Sequence, residues 1–213
     1  MKATAVLPVK RFAAAKQRLG TGMPGRRRRD LVAAMAADVL AALAQARMIE
    51  RTILVSAEPR AHELARAVEA EVVDDPGERS HSEAARLGID RAVTLGADCV
   101  VLVPGDCPLL EPRELDGLLT ALPERHVAVV PDRQGTGTNA LVLAPPTAMP
   151  PAFGEGSCAR HVASAESRGL SVSVEHVQSM ALDLDTPADL IALQRELTAQ
   201  PGRARRTARA LRL

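Results

Sequence analysis

The sequence has no tryptophan, no tyrosine and only two phenylalanines, Phe12 and Phe153, in 213 residues. That excludes the aromatic platforms on which single-stranded nucleic acids stack. Apolar residues still make up 46% of the chain, so its core must be built from Ala, Val, Leu, Ile and Met. Cys99, Cys107 and Cys158 are too few and too scattered for a disulfide scaffold or a zinc site. They read as structural thiols suited to a reducing cytoplasm, in a chain with no signal peptide. Neither sign of charge dominates: 27 basic residues against 26 acidic give a net +1, which excludes a nucleic-acid-coating protein. Long apolar runs are missing too. The N-terminal run stops at Pro8, and Leu31–Ala46 is broken by Asp38 and Gln45. A membrane-spanning helix needs about 20 residues almost free of charge.

The length fits one domain. Area scaling gives about 9,500 Å² exposed when folded against about 33,000 Å² unfolded, so a core needs no covalent staple. Short apolar runs alternate with helical patterns. Strands are expected at Thr4–Leu7, Thr52–Ser56, Glu71–Asp74, Cys99–Val103, Val127–Pro131, Ala140–Ala144, Ser171–His176 and Met180–Leu184. Helices are expected at Arg27–Arg47, Arg60–Glu69, Ser82–Leu95, Pro112–Leu122, Ser157–Arg168 and Pro187–Thr198. A run such as CVVLV is apolar at every position, as in a strand covered on both faces. The alternation is the α/β signature: one domain, a mostly parallel central sheet and helices on both faces. The short loop between residues 127 and 144 implies a hairpin-like, mixed addition. PPTAMPP, residues 145–151, reads as a surface loop. Residues 199–213 carry five arginines and no acid, and read as a disordered basic tail beyond a domain of residues 1–198.

Four segments carry candidate chemistry. In VPGDCPLL, Asp106 follows the most apolar strand, at the strand-end edge where open α/β sheets bind ligands. In ALDLDTPADL, an extended backbone puts Asp183 and Asp185 on one face and Leu182 and Leu184 on the other. Two carboxylates about 4 Å apart repel by about 4 kcal/mol at an effective dielectric near 20. A hard cation such as Mg²⁺ removes that cost. Thr186, Pro187 and Asp189 are explained by a helix start, but Asp183 is not. GTGTNAL (135–141) and FGEGSCARH (153–161) are small, backbone-exposing stretches. Ser157 is expected to cap the helix that follows, with His161 one turn on along the same face. The loop PVKRFAAAKQRLGTG follows the first strand, where Lys10, Lys16 and Arg18 can meet phosphates. No nucleophile–histidine pairing can be drawn. Acidic metal ligands, anion loops and a basic loop suit phosphoryl or nucleotidyl transfer, which depends on positioning and charge neutralisation.

In this order, PVKRFAAAKQRL (8–19), DLVAAMAADVL (30–40), VPGDCPLL (103–110), PDRQGTGTNAL (131–141), FGEGSCARH (153–161) and ALDLDTPADL (181–190) resemble the CofC/FbiD guanylyltransferases of deazaflavin coenzyme (coenzyme F-420) biosynthesis. The resemblance covers about residues 1–198 and implies a Rossmann-like, nucleotide-diphospho-sugar transferase fold. It implies that GTP and a phosphorylated three-carbon acid are joined with release of pyrophosphate. Phosphoenolpyruvate is the acid expected, with 2-phospho-L-lactate and 3-phospho-D-glycerate as alternatives. Asp106, Asp183 and Asp185 would hold Mg²⁺. Thr138, Gly154 and Ser157, with His161 beside them, would hold the acid, and Lys10, Lys16 and Arg18 would face the GTP phosphates. The chain departs from the family where His81-Ser82 replaces a Leu-Asn pair. Another nucleotidyltransferase of this fold and a nucleotide-binding regulator are the rival readings. Neither nucleic acid nor membrane is an expected partner, and a homodimer is left open.

Overall fold

A computed structural model describes residues 2–19 and 23–213, with the Arg18 side chain outside the described set. Seven strands form one sheet: β1 (Ala3–Pro8), β2 (Ile49–Val55), β3 (Glu71–Val73), β4 (Val100–Leu102), β5 (His126–Pro131), β6 (Thr138–Ala144) and β7 (Val172–Val174). The spatial order is β3-β2-β1-β4-β6-β5-β7. All neighbours are parallel except those of β6, which runs antiparallel to β4 and β5. The helices are α1 (Gly25–Gln45), α2 (Pro59–Arg66), α3 (His81–Thr94), α4 (Pro112–Ala121), α5 (Ser157–Ser167), α6 (Pro187–Ala199) and α7 (Arg205–Leu211).

The central strands are apolar over most of their length because both faces are covered. Ala5, Leu7, Val101, Val130 and Val142 face α1, α2, α4, α6 and α7. Their neighbours Val6, Ile53, Val55, Leu102 and Leu143 face α3 and α5. Gly88 lets α3 lie close on the sheet: a Cβ there would collide with Val6 and come within 3.0 Å of Val55. The mixed topology puts the carboxyl ends of β1, β4 and β5 and the amino end of β6 on one edge. The functional loops therefore converge there.

Two expectations need correction. Met180–Leu184 is not a strand. Gln178–Met180 is a 3₁₀ turn, followed by an extended stretch outside the sheet. Its backbone is tied by other groups. Asn139 Nδ2 donates to the Met180 carbonyl at 2.7 Å, and the Leu184 amide donates to the Asp106 carbonyl at 3.2 Å. The alternation survives without a ladder: Leu184 is buried and Asp185 exposed.

The C-terminal segment is likewise not a disordered tail, since residues 205–211 form α7 against α1. Ala204, Thr207, Ala208 and Leu211 recur at helical spacing, and Thr207 and Leu211 are buried. The buried Asp38 carboxylate on α1 accepts from the Thr207 amide and hydroxyl, both at 2.8 Å, and from the Arg206 amide at 3.3 Å. Arg205, Arg209 and Arg212 stay exposed, while the Arg206 guanidinium joins the contact at 3.4 Å from Asp38, so composition alone conceals it. The proline-rich loop also sends Pro146 and Met149 inward.

Thr207→Val keeps the volume but removes one of Asp38's donors. Stability should fall by about 1–3 kcal/mol in chemical denaturation. An unchanged unfolding midpoint would mean that α7 is not docked in solution.

Candidate active site

The loop after β1 is fastened before it reaches the site. The Phe12 side chain is buried, and its amide donates to Glu58 Oε2 at 3.0 Å. The Arg11 amide and guanidinium donate to Glu78 at 2.9 and 2.8 Å. Lys16 then sits in the left-handed region, at φ 54°. Its ammonium donates to Asp106 Oδ2 and, at 2.5 Å, to Asp185 Oδ1.

Asp106 arrives from β4 through a Pro-Gly turn. Gly105 keeps this turn close to Val9, whose side chain a Cβ there would approach to 3.0 Å. Asp183 and Asp185 arrive on the extended stretch before α6. The Asp189 carboxylate holds that stretch, accepting from the Asp185 amide at 3.3 Å and the Thr186 amide at 2.8 Å. Thr186 caps α6 in return, and Arg133 pairs with Asp189 at 2.8 Å. Carboxylate oxygens of Asp106, Asp183 and Asp185 lie within 4.8 Å of one another.

The electrostatics follow from burial and crowding. Burial, then the Asp106 and Asp185 charges, push the Asp183 carboxyl up to about 6. Burial pulls the Lys16 ammonium down, but Asp106 and Asp185 outweigh it and hold Lys16 above its usual range. Asp106 Oδ1 is buried with no hydrogen-bond partner among the described residues. Three oxygen-donor carboxylates, one with an unmatched buried oxygen, suit a hard divalent cation.

A cleft of about 650 Å³ opens over this cluster, lined among others by Lys10, Lys16, His81, Asp106, Gly154 and Asp185. The structure thus brings Lys10, Lys16, Asp106, Asp185 and Gly154 together at its wall, with an Asp183 carboxylate oxygen within 4.8 Å of those of Asp106 and Asp185. Thr138 opens β6 beside Asn139, whose side chain reaches Asp183 Oδ1 at 3.4 Å. Two expected contacts differ. Ser157 does not cap α5: Gly156, at φ 67°, takes that position, and Ser157 is the buried first residue of the helix. His161 is wholly buried with both ring nitrogens engaged inside the protein, so it cannot touch a substrate as drawn.

Sequence reasoning missed Asn139, a buried polar residue inside an apolar strand, and Asp132. The Asp132 carboxylate shapes the 132–137 turn by accepting from the Thr136 and Gly137 amides, both at 2.9 Å. His81 and Ser82 were noticed only as a departure. Yet His81 lines the cleft, and Ser82 Oγ accepts from the Phe153 amide at 2.9 Å. The cysteines behave as expected. All three are buried and free, with burial pushing Cys99 up to about 11 and Cys107 well above its usual range.

Residues 3–201 match the family model "Guanylyl transferase CofC like". The chain belongs to the CofC-like guanylyl transferase family. It is 44% identical over 209 residues to a phosphoenolpyruvate guanylyltransferase of Conexibacter woesei, covering 97% of this chain and 94% of that one. A protein of the same name from Sphaerobacter thermophilus is 46% identical over 190 residues, covering 89% and 91%. CofC-like relatives with other acids in their names are more distant. A 2-phospho-L-lactate guanylyltransferase of Methanothermobacter thermautotrophicus is 36% identical, covering 89% and 83%, and a 3-phospho-D-glycerate guanylyltransferase of Phenylobacterium zucineum is 35% identical, covering 91% and 90%. Among solved structures, a Desulfovibrio desulfuricans protein assigned to the nucleotide-diphospho-sugar transferases shares the fold, with a TM-score of 0.78 at 19% identity, covering 100% and 95%. Among the described residues no helix of this CofC-like chain is long and apolar enough to cross a membrane.

Asp183→Asn removes a charge that burial and two neighbouring carboxylates oppose. In chelator at neutral pH this variant should keep or gain stability against heat. A clear loss would show that the carboxylate is needed to hold the fold rather than to bind a cation.

Proposed function

We propose that the chain transfers the guanylyl group of GTP to phosphoenolpyruvate and releases pyrophosphate, within the synthesis of deazaflavin coenzyme F-420. The observation that carries this reading is the convergence of Asp106, Asp183 and Asp185 with Lys16 on the floor of the cleft. The choice of acid is supported by the names of the relatives at 44% and 46% identity.

Asp106, Asp183 and Asp185 would hold Mg²⁺, which when bound neutralises charge on the triphosphate. Lys10, Lys16 and Arg18 are assigned to the GTP phosphates, Thr138 and Gly154 to the acid. An oxygen of the acid's phosphate attacks the α-phosphorus of GTP, the bond to the β-phosphate breaks, and pyrophosphate leaves. The attacking oxygen is already ionised at neutral pH, so no protein base is required. That fits a cleft whose one lining histidine, His81, is held neutral down to about pH 4, chiefly by burial. Lys16 has two alternative partners. Its ammonium pairs with Asp106 and Asp185 in this structure, and it would be released toward the phosphates if a cation held those oxygens.

A pyrophosphate-release assay tests the reading. With Mg²⁺ and GTP, kcat/KM for phosphoenolpyruvate should exceed that for 2-phospho-L-lactate and 3-phospho-D-glycerate by about tenfold or more. GTP should also surpass ATP, CTP and UTP. Asp106→Asn should lose on the order of 10²-fold or more in kcat. A preference for either other acid would move the substrate but keep the reaction. A preference for ATP would remove the guanylyl assignment.

A further inference from the structure

His161 Nε2 lies 2.8 Å from the Ala152 backbone nitrogen, and Nδ1 lies 3.0 Å from the Thr138 hydroxyl. An amide N–H can only donate, so Nε2 accepts and carries no proton. Burial, then the nearby Arg160 charge, keeps the ring neutral down to about pH 4. The single ring proton is therefore on Nδ1, which donates to Thr138 Oγ1. With its oxygen accepting from His161, the Thr138 hydroxyl keeps its own proton for another partner.

The same ring anchors the segment that brings Gly154 to the cleft. Ser82 Oγ holds the Phe153 amide at 2.9 Å, and the Arg160 guanidinium donates to the carbonyls of Ala152 at 3.2 Å and Glu155 at 2.5 Å. The Phe153 ring stands edge-on to His161 at 5.2 Å and to His81 at 4.8 Å. Residues 152–155 are thus clamped from α3 and α5, and among the described residues His161 links them to Thr138 on β6.

We propose that His161 is a positioning residue that makes Thr138 a hydrogen-bond donor and locks it to the 152–154 backbone as one anion-binding unit for the acceptor acid. The proposal rests on the assignment of Thr138 and Gly154 to that acid. A hydroxyl whose proton is kept for donation matches phosphate or carboxylate oxygens, which only accept. His161 touches no substrate and acts through Thr138 and the loop.

The test combines kinetics with ¹⁵N spectroscopy of the wild-type ring. Long-range ¹⁵N–¹H spectra at neutral pH should show His161 with Nδ1 protonated and Nε2 bare. The opposite tautomer, or a charged ring, overturns the proposal without any variant. His161→Leu should raise the KM for phosphoenolpyruvate about tenfold or more. The KM for GTP should move by less than about twofold. His161→Asn, which can place an amide N–H near the Nδ1 position, should recover part of the loss. Thr138→Val should reproduce the rise in the acid's KM. If Thr138→Val leaves that KM unchanged, the assignment of the acid to this loop fails and the proposal falls with it. If Thr138→Val raises it but His161→Leu does not, or His161→Leu weakens both substrates equally, the proposal alone fails.

Discussion

Three carboxylates forced together, with one lysine ammonium between two of them, set the terms for the rest of this molecule. Two like charges about 4 Å apart cost about 4 kcal/mol even at an effective dielectric near 20. Burial, and after it the charges of Asp106 and Asp185, push the Asp183 carboxyl up to about 6. Such a cluster persists only if the surrounding backbone is held independently of it. Here it is held by the capping box around Asp189, by the Leu184 amide on the Asp106 carbonyl, and by Asn139 beneath the 180–183 stretch.

The sheet makes this possible at one edge only. Parallel β1 and β4 deliver Lys16 and Asp106 from adjacent strand ends, while antiparallel β6 begins at that same edge and supplies Thr138 and Asn139. Had β6 been parallel, its amino end would lie on the opposite edge, away from the cleft. The Gly154 loop closes over α3 and α5, where Ser82, Arg160 and His161 fix it with side chains rather than with regular structure. The charged floor of the cleft therefore joins Lys16 and Asp106, from the ends of β1 and β4, to Asp183 and Asp185 from the stretch before α6, and the Gly154 loop lines its wall.

Much of this was legible in the residues. Seven of the eight expected strands are present, and the signal is plainest in β1, β4, β5 and β6, where burial on both faces gives nearly continuous apolar runs. The pair Asp183/Asp185 was readable because Leu182 and Leu184 alternate with it. The helix start explained Thr186 and Asp189 but not Asp183. The eighth strand failed because alternation reports which way side chains face, not whether a neighbouring strand exists. The α7 helix is hidden in the sequence because five arginines outweigh a stripe of two buried residues, Thr207 and Leu211, and two half-buried alanines, and because Asp38, its anchor, lies about 170 residues away. His161 reads from the sequence as a substrate contact, but the structure buries it with both ring nitrogens engaged. Its contact with Ala152 lies outside its own helix, and no helical spacing reveals that.

The account stands or falls on Lys16 and a divalent cation being alternative occupants of the Asp106–Asp185 oxygens. Manganese binding without nucleotide, followed by electron paramagnetic resonance, measures this directly. Lys16→Met should bind Mn²⁺ about tenfold or more tightly than the wild-type chain, equivalent to about 1.4 kcal/mol. Equal or weaker binding would show that the ammonium does not compete for those oxygens, and would contradict the account.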